Sequence, residues 1–160
     1  MADDLDEIDR SILRLLLSDG RMPASQIAEQ IGLSRPAVAE RMDKLDRSGV
    51  IRGTTAVIAP EALGWNVIAF VSARRAGAID APARRAVREF MERDEIVEVH
   101  SVAGDDCYLF KVRTDSIQAL NRIVSDLGNP PLSMTTRTTI VMATHCEKVG
   151  GITTFGEDLE

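Results

Sequence analysis

Aromatic residues are scarce in this chain: one Trp, one Tyr and four Phe make up 4% of 160 residues. With so few rings available, the core has to be built from Leu, Ile, Val and Ala. Long apolar runs are missing as well; none approaches the roughly 20 residues that a membrane-spanning helix requires. The opening residues, Met1-Ala2-Asp3-Asp4-Leu5-Asp6-Glu7, carry acid where a signal peptide carries base, so a cytoplasmic location is expected. Two cysteines, Cys107 and Cys146, make no disulfide framework and are expected as reduced thiols. Together with His145 they have none of the paired spacing of a zinc site. There is no phosphate loop, no nucleophile elbow and no paired His-Glu motif. The chain is therefore not read as an enzyme or metabolite-handling subunit, and no cofactor or metal is expected.

The net charge of −6 argues against a non-specific polyanion binder, but the charges are unevenly spread. Acids crowd the beginning (Asp3, Asp4, Asp6, Glu7, Asp9) and the end (Glu157, Asp158, Glu160). From Arg21 to Pro60 the balance reverses. Arg21, Arg35, Arg41, Lys44, Arg47 and Arg52 face only Glu29, Glu40, Asp43 and Asp46. An acidic protein can hold DNA through such a local patch.

Residues 5 to 49 are punctuated as three helices. Leu5, Ile8, Ile12, Leu15 and Leu16 recur at helical spacing, and Ser18-Asp19-Gly20 ends that element. Pro23 opens a second helix with Ile27, Ala28 and Ile31 on its apolar side. Gly32 makes a turn, Ser34 caps the third helix and Pro36 sits in its first turn, where a missing N–H costs nothing. Val38, Met42 and Leu45 then face inward, and Gly49 closes the element. Two short helices joined this way form a helix-turn-helix, the second helix being the one that enters a DNA groove. Thr54 to Ile58 is expected as a small β wing.

Pro60-Glu61-Ala62-Leu63-Gly64 reads as a hinge, after which the pattern changes. Asn66 to Ala73 is apolar and β-prone, with Trp65 expected as core at its start. Pro82 opens a helix with Ala83, Ala86, Val87, Phe90 and Met91 on one face. Ile96 to Ala103 reads as a strand, Gly104-Asp105-Asp106 as a turn and Cys107 to Arg113 as another strand. Ser116 to Leu127 is helical, Asn129-Pro130-Pro131 breaks it, and Met134 to His145 reads as one long strand. The order βαββαβ is that of a ferredoxin-like sandwich with both helices on one sheet face. The expectation is an α+β protein: a winged helix-turn-helix domain over 1–60 and a ferredoxin-like domain over 61–160, to which a family resemblance adds effector binding and oligomerisation. A sheet covered on one side, with Val67, Phe70, Val99, Tyr108 and Phe110 among its apolar residues, should be buried by a second copy.

In sequence the chain resembles the Lrp/AsnC family, the leucine-responsive and asparagine-synthesis regulators of bacteria and archaea. The resemblance rests on Leu5-Asp6-Glu7-Ile8-Asp9-Arg10-Ser11-Ile12-Leu13, Gly20-Arg21, Ile27-Ala28, Gly32-Leu33-Ser34, and Arg41 with Leu45 before Gly49-Val50-Ile51. The hinge, Ile96-Val97-Glu98-Val99, Gly104-Asp105, Thr136, Thr138 and Ile140-Val141 extend it over essentially the whole chain. It implies a DNA-binding transcription regulator. Its second domain would dimerise, assemble dimers into rings or discs such as an octamer, and bind a small effector, usually an amino acid. Cys107 stands where family members often have Asp, so an apolar or aromatic amino acid is expected.

Candidate DNA contacts are Ser34, Arg35, Pro36, Ala37, Glu40, Arg41, Lys44, Arg47 and Arg52. Arg35 and Arg41 are suited to bases or phosphates through a bidentate guanidinium. Lys44, Arg47 and Arg52 are suited to positioning phosphates. For the effector, Gly104, Asp105 and Asp106 offer turn N–H groups to a carboxylate and an Asp to an ammonium. His100, Ser101, Thr136 and Thr138 are the neighbouring candidates. An alternative is a redox-responsive regulator acting through Cys107 or Cys146.

Overall fold

The computed structural model describes residues 5–77, 80–149 and 152–155. The chain divides into two compact units, Met1–Val57 with Thr144–Glu160, and Ile58–Ala143. The expected single boundary at 60/61 thus falls near the first division, while Thr144–Glu160, expected in the second domain, group with the first unit.

In the first unit, helix α1 spans Glu7–Ser18, α2 Ala24–Ile31 and α3 Arg35–Arg47. Asp6 caps α1 reciprocally with Asp9. The Asp9 N–H donates to Asp6 Oδ1 at 2.7 Å, and the Asp6 N–H to Asp9 Oδ2 at 3.4 Å. Gly32, at φ 71°, supplies the left-handed residue that turns α2 into α3. Ser34 Oγ then accepts from the Ala37 N–H, as the capping pattern implies. Ile12, Ile27, Ala28, Val38 and Leu45 form the buried centre, with Ile8, Leu16, Met42 and Ile51 packed against it. After α3 the Val50 and Ile51 N–H groups both donate to Leu45 O, folding the chain back over the helix end.

The expected wing is not a strand. Residues 52–59 carry no regular structure and are exposed. Among the described residues no strand pairs with residues 54–58, and a lone extended segment without a ladder partner has nothing to hold it as β.

In the second unit Pro60–Leu63 forms a single 3-10 turn, and βαββαβ follows as expected. The strands are β1 (Val67–Arg74), β2 (Ile96–Ser101), β3 (Tyr108–Thr114) and β4 (Thr135–Ile140); the helices are α4 (Ala81–Met91) and α5 (Ile117–Gly128). The sheet order is β2-β3-β1-β4, antiparallel throughout. Ala69, Val71, Ala73, Phe110 and Val112 face Val87, Phe90, Leu120, Ile123 and Leu127 of the helices. Phe90 meets Phe110 edge-on, with centroids 5.6 Å apart. So few rings suffice because one pair sits at the centre of an aliphatic core.

The last strand is shorter than expected. Ile140 pairs with Ala69 and the Val141 N–H reaches Ile68 O, but β1 begins at Val67. Beyond that point the neighbouring backbone runs out, so the Thr- and Val-rich run cannot continue as sheet. Cys146–Val149 (β5) and Ile152–Phe155 (β6) instead pair as a separate antiparallel ladder.

Register also corrects the account of the sheet faces. Side chains paired across strands share a face. Val67, Val99, Tyr108 and Phe110 turn toward the helices, and of the five apolar residues expected to need a second copy only Phe70 lies on the open face. There it neighbours Ile68, Leu109 and an ion pair between Lys111 and Glu98 at 3.1 Å. The open face of this unit is thus mixed rather than apolar.

Candidate nucleic-acid interface and effector turn

Helix α3 carries two kinds of charge. On its outer side Ser34, Arg35, Pro36, Glu40, Lys44 and Arg47 are exposed, with Ala37 half-buried among them; Arg52 is exposed just beyond. The helix opens without acid in its first turn and closes with Lys44 and Arg47 in its last. Arg47 Nε donates to the Asp43 carbonyl at 3.2 Å. Among the described residues Arg35, Lys44 and Arg52 are held in no ion pair, so their charges are available to a polyanion. A helix of this width fits the major groove, where guanidinium forks read guanine and ammonium groups position phosphate.

Arg41 belongs to the other side. Its Nη1 donates to Asp6 Oδ2 and to Asp9 Oδ1, both at 2.7 Å. The Asp9 side chain is 5% exposed, that of Arg41 32%. Arg41 is thus tied to α1 and does not stand on the outer face with the other DNA candidates. The Asp9 carboxylate and then that of Asp6 raise the Arg41 pKa. Asp6 is held below the usual carboxylate range, first by the Asp9 backbone N–H and next by Arg41. In the sequence Asp6 and Asp9 stand among the acids that crowd the beginning; their i, i+3 spacing before an apolar helix is the available sign of a cap.

The β2–β3 connection is the second place where candidate residues gather. Gly104 sits at φ 126°, a region that L side chains rarely adopt, with open space where a Cβ would be. Asp105 is exposed, and Asp106 Oδ2 lies 2.9 Å from Arg137 Nη2 on β4. The Cys107 N–H donates to Ala73 O, which ties the turn to the end of β1. The candidates divide between the two sheet faces. Ser101, Thr136 and Thr138 share the helix side with Tyr108, Ala73 and Val71. His100 is on the open side, its Nε2 3.2 Å from Glu98 Oε2. The hydrogen bond with His100, followed by that from Lys111, holds the Glu98 carboxyl below its usual range. Arg137 escaped the sequence reading, although the alternation Thr136-Arg137-Thr138 places it opposite the two threonines.

A helix-turn-helix unit followed by an antiparallel α+β unit defines a DNA-binding protein with a separate second module. Residues 5–46 match the AsnC-type helix-turn-helix domain, and residues 68–150 match the Lrp/AsnC ligand binding domain. The chain belongs to the Lrp/AsnC family of DNA-binding transcription regulators, which are not enzymes. It is 39% identical over 144 residues to the HTH-type transcriptional regulator FL11 of Pyrococcus abyssi, covering 89% of this chain and 93% of that one. Against the leucine-responsive regulatory protein of Escherichia coli K12 it is 36% identical over 143 residues, covering 87% and 85%. The feast or famine regulatory protein from M. tuberculosis, solved in complex with L-methionine, superposes with a TM-score of 0.79 at 34% identity, covering 88% and 93%. Among the described residues no helix is long and apolar enough to cross a membrane.

Proposed function

We propose that this regulator reads double-stranded DNA sequence-specifically through the outer face of α3, and that a free amino acid held at the Gly104 turn controls that reading by changing how copies assemble. The observation that carries the effector half is the pairing at the turn. Asp106 is paired with Arg137, whose side chain remains 76% exposed with further N–H donors, while the exposed Asp105 beside it meets no partner among the described residues. That gives a cation for the carboxylate and an anion for the ammonium of one amino acid. The names of the relatives support the class, since one is leucine-responsive and another is complexed with L-methionine. Cys107 in place of a frequent acid favours an apolar or aromatic side chain.

Assembly would begin with a homodimer and extend to a higher form such as an octamer, working in the cytoplasm and without a metal or cofactor. Ile68, Phe70 and Leu109 on a sheet face that bears no helix of its own unit support a second copy as the partner. A ligand that binds one assembly better than another shifts the population by its differential affinity and no more.

Titration calorimetry and thermal melts with each of the twenty amino acids test this. One apolar or aromatic amino acid should raise the melting temperature with occupancy, and Asp105→Ala should remove that rise while leaving the unliganded melt in place. No heat and no shift with any of them would end the effector reading. Loss of DNA binding after thiol alkylation, with no response to amino acids, would favour the redox alternative through Cys107 or Cys146. Light scattering that gives a monomer at micromolar concentration would end the assembly reading.

A further inference from the structure

We propose that Arg41 is a positioning residue for DNA binding: by bridging Asp6 and Asp9 it fixes how α3 is rotated against α1, and so which of its side chains meet the duplex. The network is closed. Asp6 Oδ1 and Asp9 Oδ2 are used within the capping box, and Asp6 Oδ2 and Asp9 Oδ1 both accept from Arg41 Nη1. Each of the four carboxylate oxygens therefore has one assigned donor. The apolar packing of Val38 and Leu45 against Ile12 holds the two helices together, but contact between aliphatic groups is non-directional and tolerates rotation. Two charge-assisted bonds at 2.7 Å to a carboxylate pair on one helix do not. Arg41 stands three residues after Val38 and four before Leu45, on the border between the buried stripe and the exposed face that bears Lys44. A small turn of α3 about its axis would break the bridge and carry Arg35 and Lys44 out of register with the groove.

Positioning and direct contact predict different salt behaviour. Each phosphate contact releases counterions, so its loss lowers the slope of log affinity against log salt by about 0.9. A brace touches no phosphate, and its loss lowers affinity with the slope unchanged. The full chain, its own promoter duplex and a salt series test this on Arg41→Gln, Asp9→Asn and the double variant. Arg41→Gln and Asp9→Asn should each weaken binding on the order of tenfold, the scale of one charged hydrogen bond. The double variant should be little worse than either single one, with all slopes equal to the parent's. Should Arg41→Gln lose its helical circular dichroism, Asp9→Asn, which leaves the Arg41 charge in place, carries the test: weaker binding at the parent's slope supports the brace. A slope reduced by about 0.9 in an Arg41 variant, or unchanged binding in Asp9→Asn, overturns the proposal.

Discussion

The two units solve the same problem with unequal means. Among the described residues the sheet unit buries thirteen side chains in one cluster, centred on Phe110 and crossed by an edge-to-face ring pair. The helical unit buries five, none aromatic. Beside that smaller core stand directed contacts: the Asp6–Asp9 box, the Ser34 cap, and Arg41 across two helices. The lesson is that a small core specifies contact but not orientation, and orientation is what a DNA reader needs. Arg41, midway along α3, supplies it by gripping the carboxylates at the start of α1.

Mutations can break this contrast at several sizes. Phe110→Ala should be the most damaging, about 3–5 kcal/mol, because a fully buried ring leaves a cavity in the larger core; urea unfolding measures it, and a loss below about 1 kcal/mol would mean the cluster is not cooperative. Next, Arg35→Ala should cost about 1–3 kcal/mol of specific DNA affinity where it reads a base, with little change in melting temperature. Gel shifts on cognate and scrambled duplexes separate that outcome from a general loss. Lys44→Gln should instead lower the salt slope by about 0.9 on both duplexes. Smaller still, Ser34→Ala should destabilise the first unit by about 0.5–2 kcal/mol, the usual value of a capping hydroxyl.

Acid should produce the mildest effect, and in both units alike. Asp6 and Glu98 are each held below the ordinary carboxylate range. For such groups the stabilisation is complete above the unfolded value and is lost as pH falls through the folded one. Denaturant midpoints should therefore be flat from about pH 6 to 5 and decline below about pH 4. Asp6→Asn and Glu98→Gln should each flatten that decline, and an unchanged profile in either variant would mean that its carboxylate does not contribute.

Helix punctuation was the most legible part of the chain. Ser34, Pro36, Gly32 and Gly49 act locally, through capping and backbone angle, and each stands where its residue type implies. The βαββαβ order was legible for the same reason. What escaped depended on partners remote in sequence. The length of β4 was set by where β1 begins, and the supposed wing lacked a neighbouring strand. Arg41 looked like a DNA contact because nothing within its own helix reveals two carboxylates more than thirty positions earlier. Likewise the effector candidates came from the turn, its neighbours in the chain and the last strand, whereas alternation puts His100 and Thr136 on opposite faces.

That alternation constrains how β4 can change in length. Thr136 and Thr138 face the helices while Arg137 reaches Asp106 across the turn. Deleting one residue between Thr136 and Ile140 would exchange the two faces for everything beyond the cut, and deleting two would restore them. The strand counts in pairs, so natural variation in its length is expected by even steps, with odd ones confined to the loops on either side.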